Sequence, residues 1–221
     1  MERDQLFDVH VHRIYAEILC IEMEEMELRR VELTSPQLRC LANTIRSRLL
    51  AALRLEGPAT SAALAKRLET NTGVTSYHLR RLADVGLIVD HPDLGRGRER
   101  VWQAAHDVTV WTETAFDVDP DDRAARDWMI GHHSRLTNAW RQEWMETRGD
   151  WSTEWREAAC TSDMTLRLSP ERTKALVAEL ESVIERYAAT AKDDVAADQT
   201  ESAGASVAVL IDVFPSHRLT I

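Results

Sequence analysis

SAALAKRLETNTGVTSYHLRRLADVGLIVDHPDLGRGRERVWQAA, residues 61–105, decides how this chain is read. Thr60 or Ser61 caps a short helix that carries Leu64 and Leu68 inward, since a hydroxyl at that place can accept an orphan backbone N–H. Asn71-Thr72-Gly73 reads as a polar turn. A second helix runs to about Val85, with Gly86 as its left-handed stop. Thr75, Leu79 and Leu82 share its inner face by their spacing of four and three. Gly73, Ser76, Tyr77, Arg80 and Asp84 share the outer one. Leu87-Ile88-Val89 then reads as a strand and Asp93 to Arg100 as a hairpin tightened by Gly95 and Gly97. Val101-Trp102-Gln103 is the returning strand.

Upstream, Ser35-Pro36 begins a helix with Leu38, Leu41, Ile45 and Leu49 at helical spacing, closed by Gly57-Pro58. Three helices, then two strands around a basic hairpin, is the order of a winged helix-turn-helix. In that architecture one helix enters the major groove and the hairpin reaches the flanking backbone. Arg96, Arg98 and Arg100 line the hairpin with guanidinium groups suited to phosphate or a minor groove.

TSYHLRRLADVGLI, preceded by ALAKRLE and followed by GRGRERVW, resembles the ArsR-like winged-helix transcriptional regulators common in actinobacteria. The resemblance covers about residues 35–105. It implies a cytoplasmic homodimer that binds operator DNA, in many members as a repressor. It places Thr72, Thr75, Ser76, Tyr77 and Arg80 at recognition-helix positions and Arg96 and Arg98 in the wing; Arg81 joins the DNA-binding set. Metal-sensing members often carry Cys-x-Cys on the preceding helix. Here that helix, ALAKRLE, has neither cysteine nor histidine, so no metal is expected there.

Charge is distributed to match. The 221 residues carry a net −10. Between Ser35 and Ala105, however, eleven cations stand against six anions, a local +5 that leaves −15 elsewhere. A basic segment in an acidic chain can bind phosphate locally while the remainder keeps the protein soluble. No apolar run approaches a membrane span, and the N-terminus lacks the pattern of a signal peptide. Cys20, Cys40 and Cys160 are few, odd in number and far apart, which argues against a disulfide scaffold.

The flanks read less directly. Residues 1–33 hold Ile14, Ile18, Ile21 and Leu28 at helical spacing, either a helix for a partner subunit or an extension. All seven tryptophans lie between Trp102 and Trp155. Asp119-Pro120-Asp121-Asp122 begins a helix with acids at its positive end. Along it Ala125, Trp128, His132, Leu136, Ala139 or Trp140, and Trp144 recur, up to Gly149-Asp150. This stripe is expected inward, as core or dimer interface. The sharper alternative makes Trp128, His132, Leu136, Trp140 and Trp144 a pocket for an apolar small-molecule effector. Met164, Leu166 and Leu168 alternate like a strand. Ser169-Pro170-Glu171 starts a long helix with Leu176, Leu180, Ile184 and Tyr187 on one side. Residues 193–204 read as a polar loop, and SVAVLIDVFP as a buried strand ended by Pro215, giving a β-α-β end.

No catalytic set is present. His10 and His12 have the His-x-His pattern of metal-dependent amidohydrolases, whose barrel this chain has no room for. His132 and His133, being neighbours, point about 100° apart and do not chelate one ion. The expectation is therefore a non-enzyme without cofactor, mainly α with small β. It consists of an N-terminal extension (1–33), a winged helix-turn-helix domain (34–106) and a C-terminal dimerisation or effector module (107–221). Double-stranded DNA and a second copy of the chain are its expected partners. A winged-helix protein-interaction module in a larger complex is the rival reading, and a small-molecule carrier built on the Trp-rich helix a third.

Overall fold

The structure is a computed structural model that describes residues 29–91, 100–197 and 205–216. Its elements are β1 (Arg30–Glu32), α1 (Ser35–Leu41), α2 (Thr44–Glu56), β2 (Ala59–Thr60), α3 (Ser61–Arg67), α4 (Thr72–Asp84), β3 (Ile88–Asp90), β4 (Val101–Ala104) and β5 (Val108–Val110). After a 3-10 turn at Glu113–Phe116 come α5 (Pro120–Thr147), α6 (Thr153–Ala158) and α7 (Pro170–Ala197). The chain divides into two compact units; α7 lies in one, while residues 29–167 and 207–216 lie in the other. The mainly helical winged helix-turn-helix expected from the sequence is the fold observed.

The one helix expected from Ser35 to Gly57 is two. Asn43 interrupts it: its backbone is extended, and its Oδ1 accepts the N–H groups of Ile45 and Arg46 at 3.1 Å each. A short amide side chain that satisfies two orphan donors starts a new helix rather than continuing the old one. Thr34, not Ser35, precedes α1; its N–H and hydroxyl both donate to Gln37 Oε1 at 3.0 Å.

The turn between α3 and α4 lies earlier than Asn71-Thr72-Gly73. Glu69 takes the left-handed conformation there, with φ 52°. Asn71 is already the cap of α4, its Oδ1 accepting the Val74 N–H at 2.9 Å, so Thr72 and Gly73 are helical. The other end is as expected: Val85 closes α4 and Gly86 follows at φ 73°.

Strands β2, β4 and β3 form one antiparallel sheet in that order, with Ala59 opposite Trp102 and Ile88 opposite Ala104. A second, two-stranded sheet pairs β1 with β5 in parallel, Arg30 opposite Val108. The Arg29 guanidinium clamps Asp107 through two bonds of 3.0 Å at the head of that pair. Arg54 crosses beneath it. Its Nε donates to the His106 carbonyl at 3.0 Å and its Nη2 to Thr109 Oγ1 at 2.7 Å, while burial pushes its pKa down.

The core lies between the helices and the three-stranded sheet. Leu38, Leu49, Leu64, Leu79, Leu82, Leu87 and Ile88 are buried almost completely, and Trp102, Phe116 and Ala125 extend the same cluster. Burying a Leu or Ile side chain contributes roughly 1.5–3 kcal/mol, so this cluster holds α4 in place.

The C-terminal third departs from expectation. Helix α7 continues to Ala197, through the first part of the loop expected at 193–204. Residues 159–169 and 205–216 contain no strand. An apolar alternation codes for a strand only where a neighbour completes the ladder, and among the described residues none does. Residues 1–28 and 92–99 lie outside the described residues, as do the expectations made for them, the hairpin at Gly95 and Gly97 included. No helix among the described residues is long and apolar enough to cross a membrane.

Candidate nucleic-acid interface

Helix α4 presents two unlike faces. Thr75, Leu79 and Leu82 are wholly buried, with no exposed surface. Thr75 is thereby removed from the surface set in which the resemblance placed it: the methyl and hydroxyl of a side chain inside the core reach no base. Thr72, Tyr77, Arg80 and Arg81 are exposed and Ser76 is half-buried, so these five share the accessible side. Tyr77 is 55 % exposed, a large apolar ring left in water on a helix whose other face is sealed.

The charges on this surface differ in how free they are. Arg81 lies 3.5 Å from Asp84, and Arg67 is paired with Glu56. Arg100, at the base of the wing, lies 3.2 Å from Asp90 and over the Trp102 ring at 5.6 Å. Arg80 has no carboxylate within ion-pair distance among the described residues. A guanidinium that is exposed and not matched within the chain is the group best placed to meet a phosphate or a guanine edge. Arg96 and Arg98 lie outside the described residues.

His78 lies beside Tyr77, at 5.1 Å between ring centres. Burial, with the neighbouring Arg46, pushes its pKa down, which disfavours the charged form. Its Nδ1 is buried, which marks it as part of the packing beneath the surface.

What fixes the winged unit to the long helix α5 was not read from the sequence. Asp122, at the start of α5, is buried. It accepts the Ser35 hydroxyl at 2.7 Å and the Arg39 Nε at 2.5 Å. Arg39 also reaches Asp119 at 2.8 Å. Asp119 caps α5 through the N–H groups of Asp121 and Asp122, and these bonds hold its carboxyl below the ordinary range, with Arg39 adding to them. The acids at the head of this helix were legible; that they were spoken for by a helix 83 residues earlier was not.

Within the single chain the Trp-rich stripe is not core, which leaves the dimer-interface form of the expectation. On α5 the buried residues are Asp122, Ala125 and Thr137, while Leu136 is 38 % and Trp140 40 % exposed. Trp128 and His132 are half-buried and stack at 4.8 Å; burial, with Arg135 and His133, pushes the His132 pKa down. A cavity of about 460 Å³ at the end of α5 is lined by Trp144, Met145, Glu146, Arg148, Gly149 and Arg156. Of the five residues expected to line an effector pocket it takes in Trp144 alone.

Comparison with known proteins bears on the same segment. Residues 41–91 match the family model described as a helix-turn-helix domain. Among solved structures the chain is similar to an ArsR family transcriptional regulator, at 22 % identity over 47 % of this chain and 93 % of that one, with a TM-score of 0.28. It is similar to YusO from Bacillus subtilis, at 15 % identity over 66 % and 99 %, TM-score 0.30. It is also similar to Lactococcus lactis ZitR in complex with DNA, at 19 % identity over 83 % and 99 %, TM-score 0.24. Comparison with curated proteins gives no match.

Proposed function

We propose that this chain is a sequence-specific DNA-binding transcriptional regulator that works in the cytoplasm as a homodimeric repressor. The observation that carries the reading is Arg80, exposed and without a carboxylate partner among the described residues, on a helix whose opposite face is sealed into the core. Thr72, Ser76, Tyr77 and Arg81 lie on the accessible side with it, and Arg96 and Arg98 of the wing complete the set. The helix reads base edges in the major groove; the wing holds the neighbouring backbone. Residues 107–221 supply the dimer contacts, so two α4 helices meet half-sites ~34–36 Å apart.

Selection of bound fragments from genomic DNA with purified protein, followed by gel shift at rising salt, tests this reading. The expected result is an enriched inverted repeat. Its affinity should fall with salt by a logarithmic slope of about 0.9 per phosphate contact. Selection that enriches no sequence, with no shift at low salt, would leave the winged unit as a protein-docking module instead.

A further inference from the structure

The segment Val207–Phe214 is the most anomalous surface on the described chain. Its sequence, VAVLIDVF, is almost wholly apolar, the pattern of a strand covered on both faces. Yet Val207 is 67 %, Val209 60 %, Ile211 39 % and Val213 39 % exposed. Among the described residues no strand pairs with it. Drawn out as a strand, this segment would point successive side chains to opposite sides. One side is already fixed: Asp212 accepts the Arg141 guanidinium of α5 at 2.9 Å. The other side therefore carries the four β-branched residues, the side chains that fit a pleated surface best.

We infer that this segment is an edge strand for a second copy of the chain, and that two copies pair antiparallel through it about a two-fold axis at Leu210. The inference rests on the homodimer proposed above and names the surface that makes it. The sequence is self-complementary in that register. Val207 then faces the partner's Val213 and Val209 faces the partner's Ile211. These are β-branched cross-strand pairs, the stabilising unit of a sheet. Asp212 faces the partner's Ala208, so the two carboxylates do not oppose each other. A closed two-fold contact uses the same patch on both copies. Standard interfaces take roughly 800 Å² from each partner. The bare faces of these four residues, at 39–67 % exposure, supply part of that apolar surface.

Three variants of the 221-residue chain test it, read by sedimentation velocity and by cross-linking. Val209→Lys with Ile211→Lys sets two ammonium groups opposite each other in each of the two symmetry-related Val209–Ile211 pairs. The expected result is a shift from dimer to monomer at micromolar concentration, with the helical circular dichroism unchanged. In a background with all three cysteines replaced by serine, Leu210→Cys should form a disulfide-linked dimer on mild oxidation. At the axis the two Cα atoms lie roughly 4.5–5.5 Å apart, within disulfide range. Val207→Cys should not, because six residues of strand rise separate it from its own copy by ~20 Å. A dimer that survives both lysines, or one that links at 207 and not at 210, overturns the inference and leaves the homodimer standing. A wild-type chain that sediments as a monomer overturns the homodimer itself.

Discussion

At the scale of single residues, backbone conformation and burial make opposite demands at two pairs of positions. Gly86 sits at φ 73° with open space where a Cβ would be, so Gly86→Ala meets only backbone strain. It should destabilise by about 1–2 kcal/mol, the cost of the left-handed region for an L-residue. Glu69, at φ 52°, already bears that strain, so Glu69→Gly should stabilise, by roughly 0.5–1 kcal/mol once the extra freedom of glycine in the unfolded chain is subtracted. Chemical denaturation of both variants decides; a stable Gly86→Ala protein would contradict the assigned turn. The thiols contrast in the same way. Cys40 is half-buried and donates to the Arg81 carbonyl at 3.4 Å, and burial raises its pKa against the pull of Arg46 and Arg81. Cys160 is exposed. Because the thiolate is the reactive form, iodoacetamide at pH 7.5 should label the Cys160 peptide well before the Cys40 peptide. Equal labelling, by mass spectrometry, would mean that the α1–α4 seam opens.

At the scale of elements, α4 and the head of α5 each carry an expectation. Arg80→Ala and Ser76→Ala should leave the fold intact, since neither side chain belongs to the buried face, and should weaken operator binding by ~1–3 kcal/mol for each lost base contact. Competition against single-base operator variants should show relaxed preference at one position; unchanged discrimination at every position removes α4 from the groove. For α5, Asp119 has a depressed folded pKa. Its stabilisation is therefore complete above the unfolded value of ~3.9 and is lost as pH falls through the lower folded value. Asp119→Asn keeps the capping oxygen but removes the charge. Acid unfolding followed by circular dichroism should therefore be shallower below pH 4 in the variant than in the wild type. These elements were legible to different degrees, for physical reasons. The leucine periodicities, Gly86 and the acids of α5 are local signals and led to the right helices. The break at Asn43 turns on a side chain competing with its own backbone, which periodicity does not register. The parallel β1–β5 pair joins three-residue strands held by an Arg29–Asp107 clamp 78 residues apart, and nothing local announces it. For the site, inward and outward faces of α4 followed from spacing, and spacing also put Thr75 inside. Which arginine remains free depends on carboxylates brought close only by folding.

At the scale of the whole molecule, residues that the sequence marks as core are left on the surface of the single chain. A wholly buried tryptophan truncated to alanine costs about 3–5 kcal/mol. Trp140, at 40 % exposure, should lose far less: Trp140→Ala is expected to change unfolding free energy by about 1 kcal/mol or less while weakening self-association. Thermal unfolding and sedimentation equilibrium on the same variant separate the two effects; a large drop in melting temperature with association unchanged would place this ring inside the fold. Helix α5 has a further, mechanical consequence. Its 28 residues span ~42 Å at 1.5 Å per residue, and it is bolted to the winged unit at one end, through Asp122, Ser35 and Arg39. A rod held at its base is a lever: a tilt of 10° at Asp122 sweeps the tip of ~42 Å through ~7 Å. Over that arm, a displacement of the far end is geared down about sixfold at ~7 Å from Asp122. The bolt sets the ratio, and Ser35→Ala with Arg39→Ala would let the rod swivel without turning what it is fastened to.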